Sequence, residues 1–167
     1  MTRAVIALGS NLGDRGEFLQ YALDALAELG EVVAVSDWFE SIAHTVHGVD
    51  PDAPRYLNGV ALLETELEAA ALLAELHRVE AEAGRERGER WADRTLDLDL
   101  IVFGELTSDA PELTLPHPRA AERVFVLAPW LDVNPDAVLP GRGRVDVLLG
   151  RLSPVERASL CRLEVAQ

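Results

Sequence analysis

Two carboxylates, Asp97 and Asp99, sit inside the apolar run Thr95-Leu96-Asp97-Leu98-Asp99-Leu100-Ile101-Val102-Phe103. Such a run reads as a strand, and strand side chains alternate between faces. Asp97 and Asp99 then share a face with Thr95 and Ile101, while Leu96, Leu98, Leu100 and Val102 take the other. One strand repeat separates the two carboxylates by roughly 6.5–7 Å at Cα, so their oxygens can converge on one hard cation or a close pair. Carboxylates in so apolar a strand are costly unless paired or metal-bound. Four arginines, Arg85, Arg87, Arg90 and Arg94, crowd the positions just before them. Cation-binding carboxylates beside guanidinium forks are what polyphosphate binding requires. Glu86, Glu89 and Asp93 are interspersed, which also suits a salt-bridged surface loop; the two clusters together favour a phosphate site.

A second basic and aromatic group comprises His117, Arg119, Arg123 and Phe125, with Pro116 and Pro118 stiffening the chain around the histidine. It suits a nucleotide or phosphate clamp, and equally a loop entering a helix. Tyr56 and Asn58 share a strand face, where a ring beside an amide can stack on and hydrogen-bond a flat heterocycle. Trp91 lies in a polar, Arg-rich stretch, and either packs back on the body or covers a ligand. Gly9-Ser10-Asn11 at a strand-to-helix turn has the makings of an anion-binding nest. His44, His47 and His77 lack metal-ligand spacing.

The elements that must position these residues follow from periodicity. Ala4–Leu8 reads as a buried strand. Asp14 and Glu17 form a capping box for a helix carrying Phe18, Ala22, Leu26 and Leu29 inward and closed by Gly30. Val32–Phe39 reads as a second strand, residues 41–54 as a long loop and Tyr56–Leu63 as a third strand. Thr65 with Glu68 resembles another capping box, before a helix with Leu72, Leu76, Val79 and Ala83 inward, ending near Gly84. Thr95–Phe103 is the fourth strand. The order β-α-β-β-α-β predicts an α+β fold with a ferredoxin-like core. A C-terminal helical and strand extension follows, with helices from about Glu122 to Leu131 and Val145 to Leu152.

All 167 residues fit a single domain, and its 15 basic residues, every one an arginine, face 29 acidic ones for a net charge of −14. That field opposes nucleic acid and anionic membranes. The absence of lysine removes Walker-type loops and Schiff-base chemistry. One cysteine, Cys161, excludes an internal disulfide, and the N-terminal apolar run is too short for a secretory signal. A cytoplasmic protein acting as a monomer is expected.

Several segments together resemble the 6-hydroxymethyl-7,8-dihydropterin pyrophosphokinases of folate biosynthesis. They are Ala7–Asp14, Tyr56-Leu57-Asn58 leading into Leu62–Thr65, Glu80 through Arg85, Arg94–Leu100, and Leu113–Arg119 through Arg123–Pro129. They occur in the family's order and cover most of residues 4–131. The resemblance implies Mg²⁺-dependent transfer of a pyrophosphoryl group from ATP to the hydroxymethyl oxygen of 6-hydroxymethyl-7,8-dihydropterin, with AMP leaving. It implies that Asp97 and Asp99 hold two Mg²⁺ ions, and that Arg85 and Arg94 meet the ATP phosphates as further catalytic residues. Glu80, Leu100, His117 and Arg123 fall on ATP-binding positions. Tyr56 and Phe125 enclose the pterin, Asn58 hydrogen-bonds it, and Asn11 and Trp91 complete the substrate-binding set, the tryptophan on a mobile lid. Trp91-Ala92-Asp93-Arg94 departs from the family's usual aromatic-Gly-Pro-Arg, and residues 40–48 lack a Pro-rich wall. No strong general base is supplied. Two other classes share parts of this pattern. Nucleotidyl cyclases and polymerase palms usually place their metal carboxylates on separate strands. A regulatory ligand-binding domain leaves the Asp pair beside four arginines unexplained.

Overall fold

In the computed structural model, the described residues are 1–10, 15–41, 44–45, 48–49, 56–87 and 96–163. In chain order they form β1 (Thr2–Ser10), α1 (Arg15–Leu29), β2 (Glu31–Val35), β3 (Phe39–Ser41), the two-residue strands β4 (His44–Thr45) and β5 (Gly48–Val49), β6 (Tyr56–Thr65), α2 (Ala69–Arg87) and β7 (Asp97–Phe103). The hairpin β8 (Ser108–Ala110) and β9 (Leu113–Leu115), a 3₁₀ turn at Ala120–Glu122, and α3 (Val124–Val133) come next. A small hairpin β10 (Val138–Leu139) and β11 (Gly143–Arg144), then α4 (Val145–Arg151), α5 (Pro154–Ala158) and β12 (Leu160–Arg162) close the chain.

Helices and an antiparallel sheet make this an α+β protein. The main sheet runs β12-β3-β6-β1-β7, and β2 also pairs with β6. β1 lies inside it, pairing along its length with the central strand β6 and along much of it with β7. Its residues Ala4–Ser10 are buried, as a strand covered on both faces must be. One face carries α1 and α2, whose Leu19, Ala22 and Leu26, and Leu72, Leu76, Val79 and Ala83, pack with Ile6, Leu8, Leu98 and Leu100. The other face carries α3 and α4 through Val126, Leu127, Trp130, Val145 and Leu148 against Val5, Val60, Leu62 and Ile101. Each leucine buried in this way is worth about 1.5–3 kcal/mol.

Several boundaries differ from the sequence expectations for physical reasons. The expected second strand is two strands, β2 and β3, interrupted at Ser36. There the backbone amide of Ser36 donates to the Val60 carbonyl at 2.9 Å, and Ser36 Oγ accepts from the Val60 amide at 2.9 Å. The same hydroxyl donates to the Asp37 carbonyl at 2.7 Å, so one side chain substitutes for a rung of the ladder while the chain turns. Thr65 caps no helix. It ends β6, donating through Oγ1 to the Leu29 carbonyl at 2.8 Å and accepting from the Leu67 amide at 3.1 Å. α2 therefore starts later than expected, and it runs past Gly84. Gly30 is not left-handed; it is small because a Cβ there would lie 2.2 Å from the Glu64 carbonyl oxygen. The expected loop over 41–54 contains the β4–β5 pair. The expected cap Asp14 lies outside the described residues.

The register of β7 on β1 matches Gly9 to Asp97, Ala7 to Asp99 and Ile6 to Leu100, then Val5 to Val102. Ile101 is the extra residue of a β-bulge. Alternation is reset there, so Val102 joins Ile101 in the α3-side core, whereas strict alternation had placed it with Leu98 and Leu100.

Candidate active site

The α3-side face of the sheet is apolar at one end and polar at the other. At the polar end β7 contributes Asp97 and Asp99, β1 contributes Ala7 and Gly9, β6 contributes Tyr56 and Asn58, and β3 contributes Ser41. Glu122, Arg123, Val124 and Phe125 at the start of α3, together with His117, face them across a cavity of about 580 Å³. Asp97 and Asp99 lie on the same face, as alternation requires, and both are partly exposed into this space.

The wall opposite Asp99 is cationic. Arg123 Nη1 lies 3.5 Å from Asp99 Oδ2, and its guanidinium lies 5.5 Å from the Phe125 ring centroid. A guanidinium over a ring is attracted by the ring quadrupole, so Phe125 helps to hold Arg123 beside the cavity that both residues line. His117 Nε2 lies 4.0 Å from Asp99 Oδ1, while its Nδ1 accepts from the Arg119 amide at 3.2 Å. That acceptor role assigns the proton to Nε2 in the neutral ring. Burial lowers the His117 pKa below the usual histidine value; Asp99 opposes this, and Arg123 and Arg119 reinforce it. His117 is thus held neutral beside a cationic wall.

β7 is a sheet edge, and two of its outward backbone groups are taken by other elements. The Leu98 amide donates to Glu80 Oε2 of α2 at 3.0 Å, and the Ile101 carbonyl accepts from the His117 amide at 2.9 Å. Such cover blunts an edge strand. Here it also anchors the two segments bearing Glu80 and His117 to the strand that bears the carboxylates. At the other side of the cavity, Asn58 Nδ2 donates to Ser41 Oγ at 2.8 Å, both residues being buried. A methyl group at Gly9 would come within 3.3 Å of Asn58 Oδ1, so glycine leaves that amide its space.

Of the expected site residues, Tyr56, Asn58, Asp97, Asp99, His117, Arg123 and Phe125 line this one cavity. Glu80 reaches the strand from α2. Leu100 points its side chain into the α1/α2-side core, away from the cavity. Arg85 is in the last turns of α2, its side chain outside the described residues, as are Asn11, Trp91 and Arg94 entirely. Ser41, Glu156 and Ser159 also line the cavity and were not expected there. Ser41 follows an apolar strand, and that position could have flagged it. Glu156 and Ser159 come from a distant segment, and only the fold brings them in.

The burial of neutral His117 predicts a pH effect on stability. Its folded pKa is depressed, so the unfolded chain binds the proton more readily. Its contribution is fully present above the unfolded value of about 6.5 and is lost as pH falls below it. In metal-free protein, His117→Gln should therefore lose less melting temperature than the parent between about pH 7.5 and 5.5. A steeper loss in the variant would show instead that Asp99 keeps the ring protonated.

An α+β sheet carrying a carboxylate pair opposite arginine, histidine and aromatic side chains defines the class: a cavity whose lining has the chemistry to take an anionic ligand together with a flat ring. The profile of the 7,8-dihydro-6-hydroxymethylpterin-pyrophosphokinase (HPPK) family matches residues 5–135. The chain is 44% identical over 153 residues to the 2-amino-4-hydroxy-6-hydroxymethyldihydropteridine pyrophosphokinase of Pseudomonas aeruginosa, covering 88% of this chain and 90% of that one. It is 43% identical over 171 residues to the enzyme of the same name from Mycobacterium leprae, covering 94% and 86%. Among solved structures it resembles a Plasmodium falciparum HPPK-DHPS crystallised with pterin and p-hydrobenzoate, with a TM-score of 0.74 and 13% identity. That match covers 98% of this chain and 48% of the other, so the chain spans about half the length of that HPPK-DHPS chain. The chain belongs to the HPPK family. The expected transfer of a pyrophosphoryl group from ATP to a hydroxymethyldihydropterin, in folate biosynthesis, agrees with this membership.

Proposed function

We propose that residues 1–167 form one domain that catalyses Mg²⁺-dependent pyrophosphoryl transfer from ATP to 6-hydroxymethyl-7,8-dihydropterin. The hydroxymethyl oxygen attacks the β-phosphorus, the bond from that phosphorus to the α-phosphate oxygen breaks, and AMP leaves. The hydroxyl proton passes to water or to Asp97. The observation that carries this reading is the placement of Asp97 and Asp99 on one sheet face with Arg123 across the same cavity. The sheet order β7-β1-β6-β2, antiparallel throughout, supports a ferredoxin-like core with β3, α3–α5 and β12 added to it.

Tyr56 and Phe125 enclose the pterin ring, and Asn58, oriented by Ser41, hydrogen-bonds it. Asn11 and Trp91 complete that side. Arg85, Arg94, His117 and Arg123 meet the triphosphate, while Glu80 and the Leu100 backbone border the nucleotide. The two carboxylates offer hard oxygen donors on one face beside open space, which fits Mg²⁺ ions that take one or two carboxylates and fill their remaining positions with phosphate oxygens and water. When bound, two such ions supply charge neutralisation on the phosphates. The chain's own residues orient the two substrates and stabilise charge through guanidinium donors; no strong base is needed if positioning dominates. The reading also takes the chain as a cytoplasmic monomer. Among the described residues, no helix is long and apolar enough to cross a membrane.

Appearance of AMP when ATP and the pterin are mixed with the chain tests the proposal, and no AMP above the pterin-free control refutes it. Binding of a non-hydrolysable ATP analogue should weaken at least about tenfold in EDTA relative to Mg²⁺, as the carboxylate face then repels the triphosphate. Equal affinity in calorimetry under both conditions would remove the metal from the site.

A further inference from the structure

β12 is held at the rim of the sheet by side chains more than by its ladder. It pairs with β3 over three residues, Leu160 with Ser41, Cys161 with Glu40 and Arg162 with Phe39. So short an edge strand is marginal without other support. Arg162 supplies it. Its Nη1 donates to Asp132 Oδ1 of α3 at 3.0 Å and to Asp37 Oδ2 in the β2–β3 break. Asp132 Oδ2 in turn accepts from the Asp37 amide at 2.7 Å. The same guanidinium lies 4.8 Å from the Phe39 ring centroid, and the next residue, Leu163, donates its amide to the Trp38 carbonyl at 2.8 Å. One side chain thus joins α3, the strand break and β3.

This junction is continuous with the cavity. β3 ends in Ser41, which orients Asn58, and the segment leading into β12 places Glu156 and Ser159 on the cavity wall. We propose that Arg162 is a positioning residue for the heterocyclic substrate: by fastening β12 to β3 it holds the Ser41–Asn58 pair and the Glu156–Ser159 wall in the shape that accepts a flat ring. This rests on the pterin reading above. Arg162 and Asp37 are about half exposed and Asp132 partly so, and each ion pair therefore adds little to global stability. A wall displaced by an ångström is nonetheless enough to weaken a site built on it.

Steady-state kinetics of the Arg162→Ala chain, varying each substrate in turn, test the proposal. KM for the pterin should rise about tenfold, with kcat and KM for ATP within about twofold of the parent, and the melting temperature should fall by only a few degrees. Asp132→Asn should shift the pterin KM in the same direction by less. Combined with Ser41→Ala, the Arg162→Ala effect on pterin KM should be less than multiplicative, because both act along one path. Equal rises in both KM values, a loss of melting temperature with unchanged pterin KM, or fully multiplicative effects would overturn the proposal. Should Arg162→Ala fail to fold, Asp132→Asn and Arg162→Lys decide it by the same criteria. A parent chain that forms no AMP refutes the pterin reading itself; an active parent matched by its Arg162 variants refutes only the positioning role.

Discussion

Asp97→Asn and Asp99→Asn should each lower turnover by about 10³-fold while leaving the folded chain nearly as stable as the parent. The catalytic loss follows from taking a charged ligand away from the cations that neutralise the triphosphate, on the scale of losing strong charge stabilisation in a site of this kind. The small stability effect follows from the surroundings. Both carboxylates are partly exposed, and the Asp99–Arg123 pair, at 3.5 Å, is a half-open ion pair worth about 0–1 kcal/mol. For a chain of this size that amounts to a shift of about 2–4 °C at most. Relief of repulsion between the two carboxylates acts in the opposite direction. Melting curves in EDTA and AMP formation in Mg²⁺ measure the two effects separately. Unstable but active variants would make the aspartates structural partners of nearby guanidiniums.

Arg123→Ala should cost about 10²–10³-fold in kcat, the scale for removing one donor aimed at developing charge. The side chain immediately precedes α3, with Nη1 toward Asp99 and the guanidinium near the Phe125 ring, so it is positioned before any ligand arrives. Arg123→Lys keeps the charge but loses the planar fork and the stacking, so it should recover only a minor part. A variant with normal kcat and a raised KM for ATP would reassign Arg123 to ground-state binding.

Much of the candidate site was legible because it depends on local rules. Alternation along β7 placed Asp97 and Asp99 on one face of their strand, and alternation along β6 placed Tyr56 and Asn58 on one face of theirs; that the two faces coincide comes from the register of both strands on β1. Helical periodicity in α1 and α2 found the side chains that turn inward. What escaped depends on contacts distant in sequence. Nothing in Val32–Phe39 signals that Ser36 will substitute for a ladder rung, because the residue it serves, Val60, is 24 positions away. Thr65 and Glu68 have capping-box spacing, but the Leu29 carbonyl claims the threonine first. β12 has no strand signature in Leu160-Cys161-Arg162; Asp37, Asp132 and Phe39 hold it in place.

Ile101, which has no partner on β1, leaves the two halves of β7 one step out of phase. Losing one residue from the stretch after Leu100 would be absorbed there by restoring regular pairing with Val5 and Ile6, at the expense of one buried isoleucine side chain and of the bond from the His117 amide to the Ile101 carbonyl. Asp97 and Asp99 would keep their orientation. Val102 and Phe103 lie beyond the slip, so a change in their size costs packing in the two cores without turning the carboxylates to the other face. The strand carries two registers, and the phase of its reactive end is set independently of the phase of its structural end.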